Sequence, residues 1–176
     1  MSSTDKRFMA LALGLAGRGL GQTWPNPAVG CVIVDQGRVV GRGWTLPGGR
    51  PHAETQALAQ AGPRAAGATA YVTLEPCAHH GQTPPCAQAL TEAGIARVVS
   101  ALEDSDPRVA GQGHAMLHAA GIMVTTPLMA DDAYALNHGF FLRVTKGRPL
   151  VTLKLASSFD GRIATASGES QWITGP

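Results

Sequence analysis

The stretch AYVTLEPCAHHGQTPPCAQALTEAGIARVVSAL, residues 70–102, decides how this chain folds. Ala70 to Leu74 reads as a strand, and Glu75 to Pro85, dense in His, Gly and Pro, reads as a loop. Cys86 to Ala93 reads as a helix closed by Gly94, and Ile95 to Leu102 as a second strand. The same alternation extends in both directions. Toward the N-terminus, Phe8, Leu11, Ala12 and Leu15 recur at helical spacing within an expected helix from Phe8 to Leu20. Trp24-Pro25-Asn26-Pro27 is a rigid turn, because each proline holds the residue before it in extended geometry. Val29 to Val34 is a short apolar run suited to a buried strand, and Gln36-Gly37 turns it into Arg38 to Trp44 as a hairpin. A Pro- and Gly-rich loop, Leu46 to Pro51, leads to a helix from His52 to about Ala61.

Toward the C-terminus, an acidic turn at Glu103 to Asp106 precedes a helix from about Gly113 to Ala120. A strand at Ile122 to Thr125 and a helix from Asp131 to Val144 follow. Strands alternating with helices imply an α/β fold: a three-layer α/β/α sandwich whose mixed sheet is mostly parallel apart from the first hairpin. At Lys146-Gly147-Arg148-Pro149 the pattern changes. Leu150 to Ala156 reads as a new strand, and the residues after it are polar and Gly-rich. Residues 1–145 therefore read as one domain and residues 146–176 as the opening of another.

The composition excludes several classes. Of 176 residues, 44% are hydrophobic and 15% charged, enough apolar material for a core and too little charge for a disordered chain. The formal net charge of +2 comes from scattered basic residues, and no basic stripe suits a nucleic acid. No apolar run reaches the roughly 18 residues of a membrane span. The polar start, Met1 to Lys6, lacks a signal peptide's apolar core, so a cytoplasmic location is expected. Three cysteines in a reducing compartment suit a metal better than a disulfide.

The metal reading rests on His52-Ala53-Glu54, on Pro76-Cys77, and on Cys86 nine residues further on. Catalytic zinc takes three N or S ligands and leaves a fourth position to water. His52, Cys77 and Cys86 supply that number. Residues i and i+2 face apart on a continuous helix, so His52 and Glu54 can converge only at a helix entrance, which Pro51 provides. Cys86 likewise follows Pro84-Pro85 at an expected helix start, where the partial positive charge favours thiolate. Glu54, a non-ligand, is the candidate to move protons from water to a ring nitrogen and then to the departing amine. Zinc nucleobase deaminases use this His-x-Glu and Pro-Cys pattern. Cys31, inside a Val/Ile strand, reads as a core residue.

In these motifs the chain resembles a family, the bifunctional riboflavin-biosynthesis proteins, in which a pyrimidine deaminase is fused to a reductase. The likeness runs through Asn26-Pro27, Val29 to Val34, Pro51 to Glu54, Thr73 to Cys86 and Asp106 to Gly113. It continues through Leu153 to Ala156, Ser158 to Ala164 and Ser167 to Thr174. Cytidine, guanine and tRNA-adenosine deaminases generally place two residues between their cysteines. Here eight intervene, and His79-His80-Gly81 followed by Thr83-Pro84-Pro85 is characteristic of the riboflavin enzymes.

The resemblance implies a cytidine-deaminase-like sandwich, one Zn²⁺ per chain, and a homo-oligomer. It implies hydrolysis of the 2-amino group of 2,5-diamino-6-(5-phosphoribosylamino)pyrimidin-4(3H)-one, giving 5-amino-6-(5-phosphoribosylamino)uracil and ammonia. It further implies that Asn26 and His79 contact substrate; Asn26 is equally at home as a turn former. Asp104 and Asp106 end a strand, where α/β folds place ligand-binding groups, or they form a plain solvated turn. Glu75 is a candidate for orienting the metal site by hydrogen bonds. His80 reads as a loop residue, and His114, His118 and His138 as surface or packing residues.

By the same resemblance Ala156 and Trp172 would touch NADPH and Ser170 the substrate of a reductase, but only in a whole domain. Residues 146–176 are too few to form a nucleotide-binding sheet, so no reductase activity, and no use of NADPH, is expected of this chain alone. Three positions depart from many members: Thr45 replaces a His, Gln82 a Lys or Arg, and Asp106 an Asn. Arg50 and Arg108, close to the motifs, are candidates to neutralise the substrate phosphate that a cation at position 82 would otherwise meet. Two other readings stay open on sequence grounds: a different zinc nucleoside or nucleobase deaminase, and a non-catalytic zinc scaffold.

Overall fold

The computed structural model describes residues 2–81, 83–106 and 109–170. Five strands form one sheet in the order β2-β1-β3-β4-β5: β1 (Gly30–Asp35), β2 (Arg38–Trp44), β3 (Thr69–Val72), β4 (Arg97–Ser100) and β5 (Met123–Thr125). The expected hairpin is present, with Gln36 and Gly37 at φ 46° and 76°, the left-handed pair that a two-residue turn between twisted strands requires. The sheet is mixed, but its share of parallel pairing is smaller than expected. β1 pairs antiparallel with β3 as well as with β2, while β3–β4 and β4–β5 are parallel. The chain returns from β2 to the far side of β1 through a helix, a direction that no local residue pattern encodes.

Among the described residues, six α-helices cover the two faces: α1 (Ser3–Ala16), α2 (Ala53–Ala61), α3 (Cys86–Glu92), α4 (Gln112–Ala119), α5 (Ala130–Leu136) and α6 (His138–Lys146). Strand alternation sorts the core into two halves. Cys31, Ile33, Ala70, Val72 and Val98 point into the half that holds Ala57 of α2, Leu90 of α3 and Leu117 of α4. Val32, Val34, Tyr71 and Val99 point the other way, against Phe8, Met9 and Ala12 of α1 and Ala133 of α5. This is the three-layer α/β/α sandwich, and Cys31 is one of its fully buried residues. Gly43 sets the seat of α2, because a Cβ there would fall on the Ala53 carbonyl oxygen. The helix start that carries His52 and Glu54 can therefore press directly on the sheet.

Element ends differ from the sequence expectation for identifiable reasons. The first helix starts at Ser3, not Phe8, because Ser2 and Asp5 form a capping box. The single helix expected from Asp131 to Val144 is two, broken at Asn137. That side chain instead clamps residue 28: Asn137 Oδ1 accepts from Ala28 N at 2.9 Å and Nδ2 donates to Ala28 O at 2.8 Å. The expected strand at Leu150 to Ala156 is absent. Residues 151–158 are neither helix nor strand, and Val151, Leu153 and Leu155 stand 82%, 77% and 64% exposed. An apolar run becomes a strand only beside another strand, and none among the described residues flanks it.

Beneath α1 lies a buried polar cluster that the sequence did not announce. Asp5 Oδ1 accepts from Tyr71 Oη and from Arg97 Nη1, both at 2.9 Å, and Asp5 Oδ2 accepts from Arg97 Nη2 at 3.3 Å. The Arg97 guanidinium holds the Asp5 carboxyl well below the usual carboxylate range, while burial and the Asp5 hydrogen bond push Tyr71 up to about 12. Because the folded-state value of Asp5 is depressed, its contribution is complete above the unfolded value of 3.8 and is lost as pH falls toward the folded one. Asp5→Asn should cost about 1.5–3 kcal/mol at neutral pH. In urea denaturation the gap from the parent should narrow below pH 3.8. A gap that stays constant through that range would contradict this role.

Candidate metal centre and its cavity

The helix starts that the sequence marked converge on one point. His52 caps α2 with extended backbone (φ −70°, ψ 161°), Glu54 lies in the first turn, and Cys86 opens α3. Cys77, in the loop after β3, is drawn toward α3 because its carbonyl accepts from Ala87 N at 3.1 Å and its sulfur from Cys86 N at 3.3 Å. His52 Nδ1 stands 3.8 Å from Cys77 Sγ and 3.3 Å from Cys86 Sγ. All three ligand atoms lie within 4.8 Å of one another. Tetrahedral zinc, with bonds of about 2.3 Å to sulfur and about 2.0–2.1 Å to nitrogen, would set N and S about 3.6 Å apart. The two observed separations bracket that value.

The electrostatics also fit a cation. Hydrogen bonds from the Cys86 thiol, the His52 ring and the Cys86 N–H bring Cys77 down to about 4, into the thiolate range. Proximity to Cys77 and burial hold the Cys86 proton in place. Burial, reinforced by the Cys77 charge, raises Glu54, which is only 3% exposed. The hydrogen bond with Cys77 raises His52, and the charge of Glu54 adds to it. Two thiols and a carboxyl buried together are costly to ionise unless a cation sits among them. The donor set and its spacing fit zinc. His52 Nε2, the other ring nitrogen, is buried without a hydrogen-bond partner among the described residues.

In front of the triad opens a cavity of about 520 Å³. Among the residues singled out from sequence, Glu54, His52, Cys77, Asn26, His79, Asp104 and Asp106 all line it, while Cys86 is buried behind. Asn26 Nδ2 donates to the Gly49 carbonyl at 2.8 Å, and Gly49 (φ +82°) tolerates no side chain there because a Cβ would strike the Asn26 amide. Asp104 Oδ1 accepts from Asp106 N at 2.9 Å, and burial raises the Asp104 carboxyl. His80 is exposed and outside the lining. Thr45 is buried, with its hydroxyl oxygen accepting from Val29 N at 3.0 Å.

Glu75 acts differently from expectation. Its carboxylate does not reach the triad. Oε2 accepts from the N–H groups of Asp104 (3.0 Å) and Gly111 (2.9 Å), and Oε1 from those of Gly113 (2.7 Å) and His114 (3.1 Å). It satisfies the free N–H groups at the start of α4 and ties the Asp104 loop to them. Gly113 permits this, since a Cβ would fall on the Pro76 carbonyl oxygen. Glu75, Glu103 and His114 also lie within ligand range of one another, but both Glu75 oxygens are already engaged. His114 is a packing residue, with Nε2 2.8 Å from Ser100 Oγ; His118 is exposed, and His138 lies against Tyr134 at 5.3 Å.

Ala156 and Ser170 lie in the exposed segment 147–170 and do not join the cavity; Ser170 Oγ donates to the Ile163 carbonyl at 2.8 Å. Trp172, Gln82 and Arg108 lie outside the described residues. The cavity also gains residues that sequence reasoning missed: Leu74, Phe140, Val144 and Arg143. Arg143 carried no signal, being one of many scattered arginines on a helix far along the chain from the motifs.

A family model described as the zinc-binding region of cytidine and deoxycytidylate deaminases matches residues 2–102. The chain is 58% identical over 175 residues to the riboflavin biosynthesis protein RibD of Haemophilus influenzae, covering 99% of this chain and 47% of that protein. It is 57% identical over 172 residues to the Escherichia coli RibD, covering 98% and 47%. The chain thus spans about half the length of these relatives. Among solved structures, an Acinetobacter baumannii RibD superposes with a TM-score of 0.89 at 55% identity, covering 98% of this chain and 48% of that one. A Thermotoga maritima diaminohydroxyphosphoribosylaminopyrimidine deaminase/5-amino-6-(5-phosphoribosylamino)uracil reductase gives 0.92 at 43%, covering 97% and 50%. With its His/Cys/Cys group and mixed α/β/α sandwich, the chain belongs to the cytidine and deoxycytidylate deaminase family, and nearly its whole length is similar to about half of the RibD proteins.

Proposed function

We propose that this chain hydrolytically removes the 2-amino group of 2,5-diamino-6-(5-phosphoribosylamino)pyrimidin-4(3H)-one, with zinc held by His52, Cys77 and Cys86. The observation that carries the reading is a buried glutamate, Glu54, opening onto the same cavity as a His/Cys/Cys group whose spacing suits one ion. The RibD relatives support the riboflavin pathway as its setting. Zinc bound there would lower the pKa of a water toward neutrality and so supply the nucleophile at physiological pH.

The protein's own groups do the rest. Burial raises the proton affinity of Glu54, which suits it to take a proton from water, pass it to the ring nitrogen beside the target carbon, and then carry the remaining proton of the newly added hydroxyl to the departing amine. Asn26, fixed by Gly49, and His79 orient the ring from the cavity wall. Asp104, held by the turn that Glu75 anchors, offers a further acceptor there. Residues 146–176 we read as the start of a reductase domain, in which Ala156, Ser170 and Trp172 would serve NADPH and substrate.

A side-by-side assay tests the substrate. Ammonia release should be fastest from the phosphoribosylated diaminopyrimidine, with cytidine and guanine slower by at least about 100-fold, since mispaired polar groups in a buried site discriminate strongly. Equal or faster release from cytidine would move the protein to nucleoside deamination.

A further inference from the structure

Two arginines stand in the cavity wall, and neither is paired with a carboxylate among the described residues. Arg50 donates to Thr83 Oγ1 at 2.8 Å. Arg143, on α6, donates to the Pro25 carbonyl at 2.8 Å and lies over the Trp24 ring, 4.4 Å from its centroid, with the Phe140 ring at 5.4 Å. Stacking and one hydrogen bond fix the guanidinium plane while using one of its five N–H donors. Four acids share the wall, Glu54, Glu75, Asp104 and Asp106; Glu75 is engaged on the start of α4 and Asp104 on the Asp106 N–H. The Arg143 guanidinium thus presents fixed N–H donors to the cavity that no carboxylate among the described residues occupies. Arg143 also borders a neighbouring groove of about 630 Å³, which places it at the rim of the cavity, where a substituent of the bound ring would emerge.

A planar, preorganised fork of donors is the group best matched to a phosphate. Building on the deaminase reading, we propose that Arg143 seats the phosphomonoester of the substrate, with Arg50 as a second cation, and so selects phosphorylated over free pyrimidine ribosides. This assigns the neutralising role to a residue of α6 where the motif position 82 carries no charge.

The test uses Arg143→Gln, which keeps a donor for Pro25 but removes the charge, beside Arg143→Lys, which keeps the charge. Calorimetric titration with ribose 5-phosphate should show binding to the parent that weakens about tenfold or more in R143Q, the scale of one charge-assisted contact, and is largely kept in R143K. In turnover, the preference for the phosphorylated diaminopyrimidine riboside over its dephosphorylated form should fall by a similar factor in R143Q, with the loss in KM rather than kcat. No binding of ribose 5-phosphate to the parent, unchanged binding in R143Q, or equal losses on both ribosides would overturn the proposal. Arg143-dependent binding of ribose 5-phosphate without ammonia release from the phosphoribosylated pyrimidine would uphold the anion seat and refute the deaminase reading instead.

Discussion

Glu54→Gln should retain a full complement of zinc and lose turnover by about 10³-fold, the middle of the range for a positioned general acid–base. The side chain is 3% exposed and lies in the first turn of α2, beside but outside the three-ligand group. Glutamine keeps its size and its hydrogen-bonding reach, so the fold and the ligand spacing are preserved. It cannot carry a proton from water to a ring nitrogen. Metal analysis and ammonia release on the same preparation separate the two effects. A zinc-loaded Glu54→Gln protein that turns over normally would make the site a scaffold rather than a catalyst.

The second large effect is expected at the ligands. Cys77→Ser should bring zinc from about one per chain to a small fraction of that, and turnover should fall with it. Cys77 does more than face the ion: its carbonyl and sulfur receive the first N–H groups of α3, at 3.1 and 3.3 Å. Weakening this hinge should therefore also lower the melting temperature, whereas Glu54→Gln should not. His52→Ala should lose the metal in the same way but leave the Cys77–α3 contacts in place. Full zinc occupancy in either variant, measured by elemental analysis after dialysis, would contradict the assignment.

What could be read in advance was whatever is local. His-x-Glu after a proline, a cysteine ending a strand loop and another opening a helix are statements about helix entrances, and those entrances lie where the sequence put them. The hairpin at Gln36-Gly37 was legible for the same reason. The antiparallel pairing of β1 with β3 was not, because pairing partners distant in sequence leave no periodic trace. Asn137 looked like an ordinary helical position until its amide was found closing on Ala28. Glu75 was rightly marked as a hydrogen-bonding residue, but its partners are four N–H groups at least 29 residues away. The run Leu150 to Ala156 has strand composition without a strand to join. Arg143 belongs to the cavity only because the fold carries α6 back beside the Trp24–Pro25 turn.

The central claim is that one metal ion is held by an imidazole and two thiolates, with a free carboxylate alongside. Anomalous diffraction collected on either side of the zinc edge addresses it most directly. We expect a single peak within bonding distance of His52 Nδ1, Cys77 Sγ and Cys86 Sγ, with the Glu54 carboxylate outside bonding range. A well-ordered crystal of active protein in which these three side chains point apart, or in which no peak lies between them, would contradict the account.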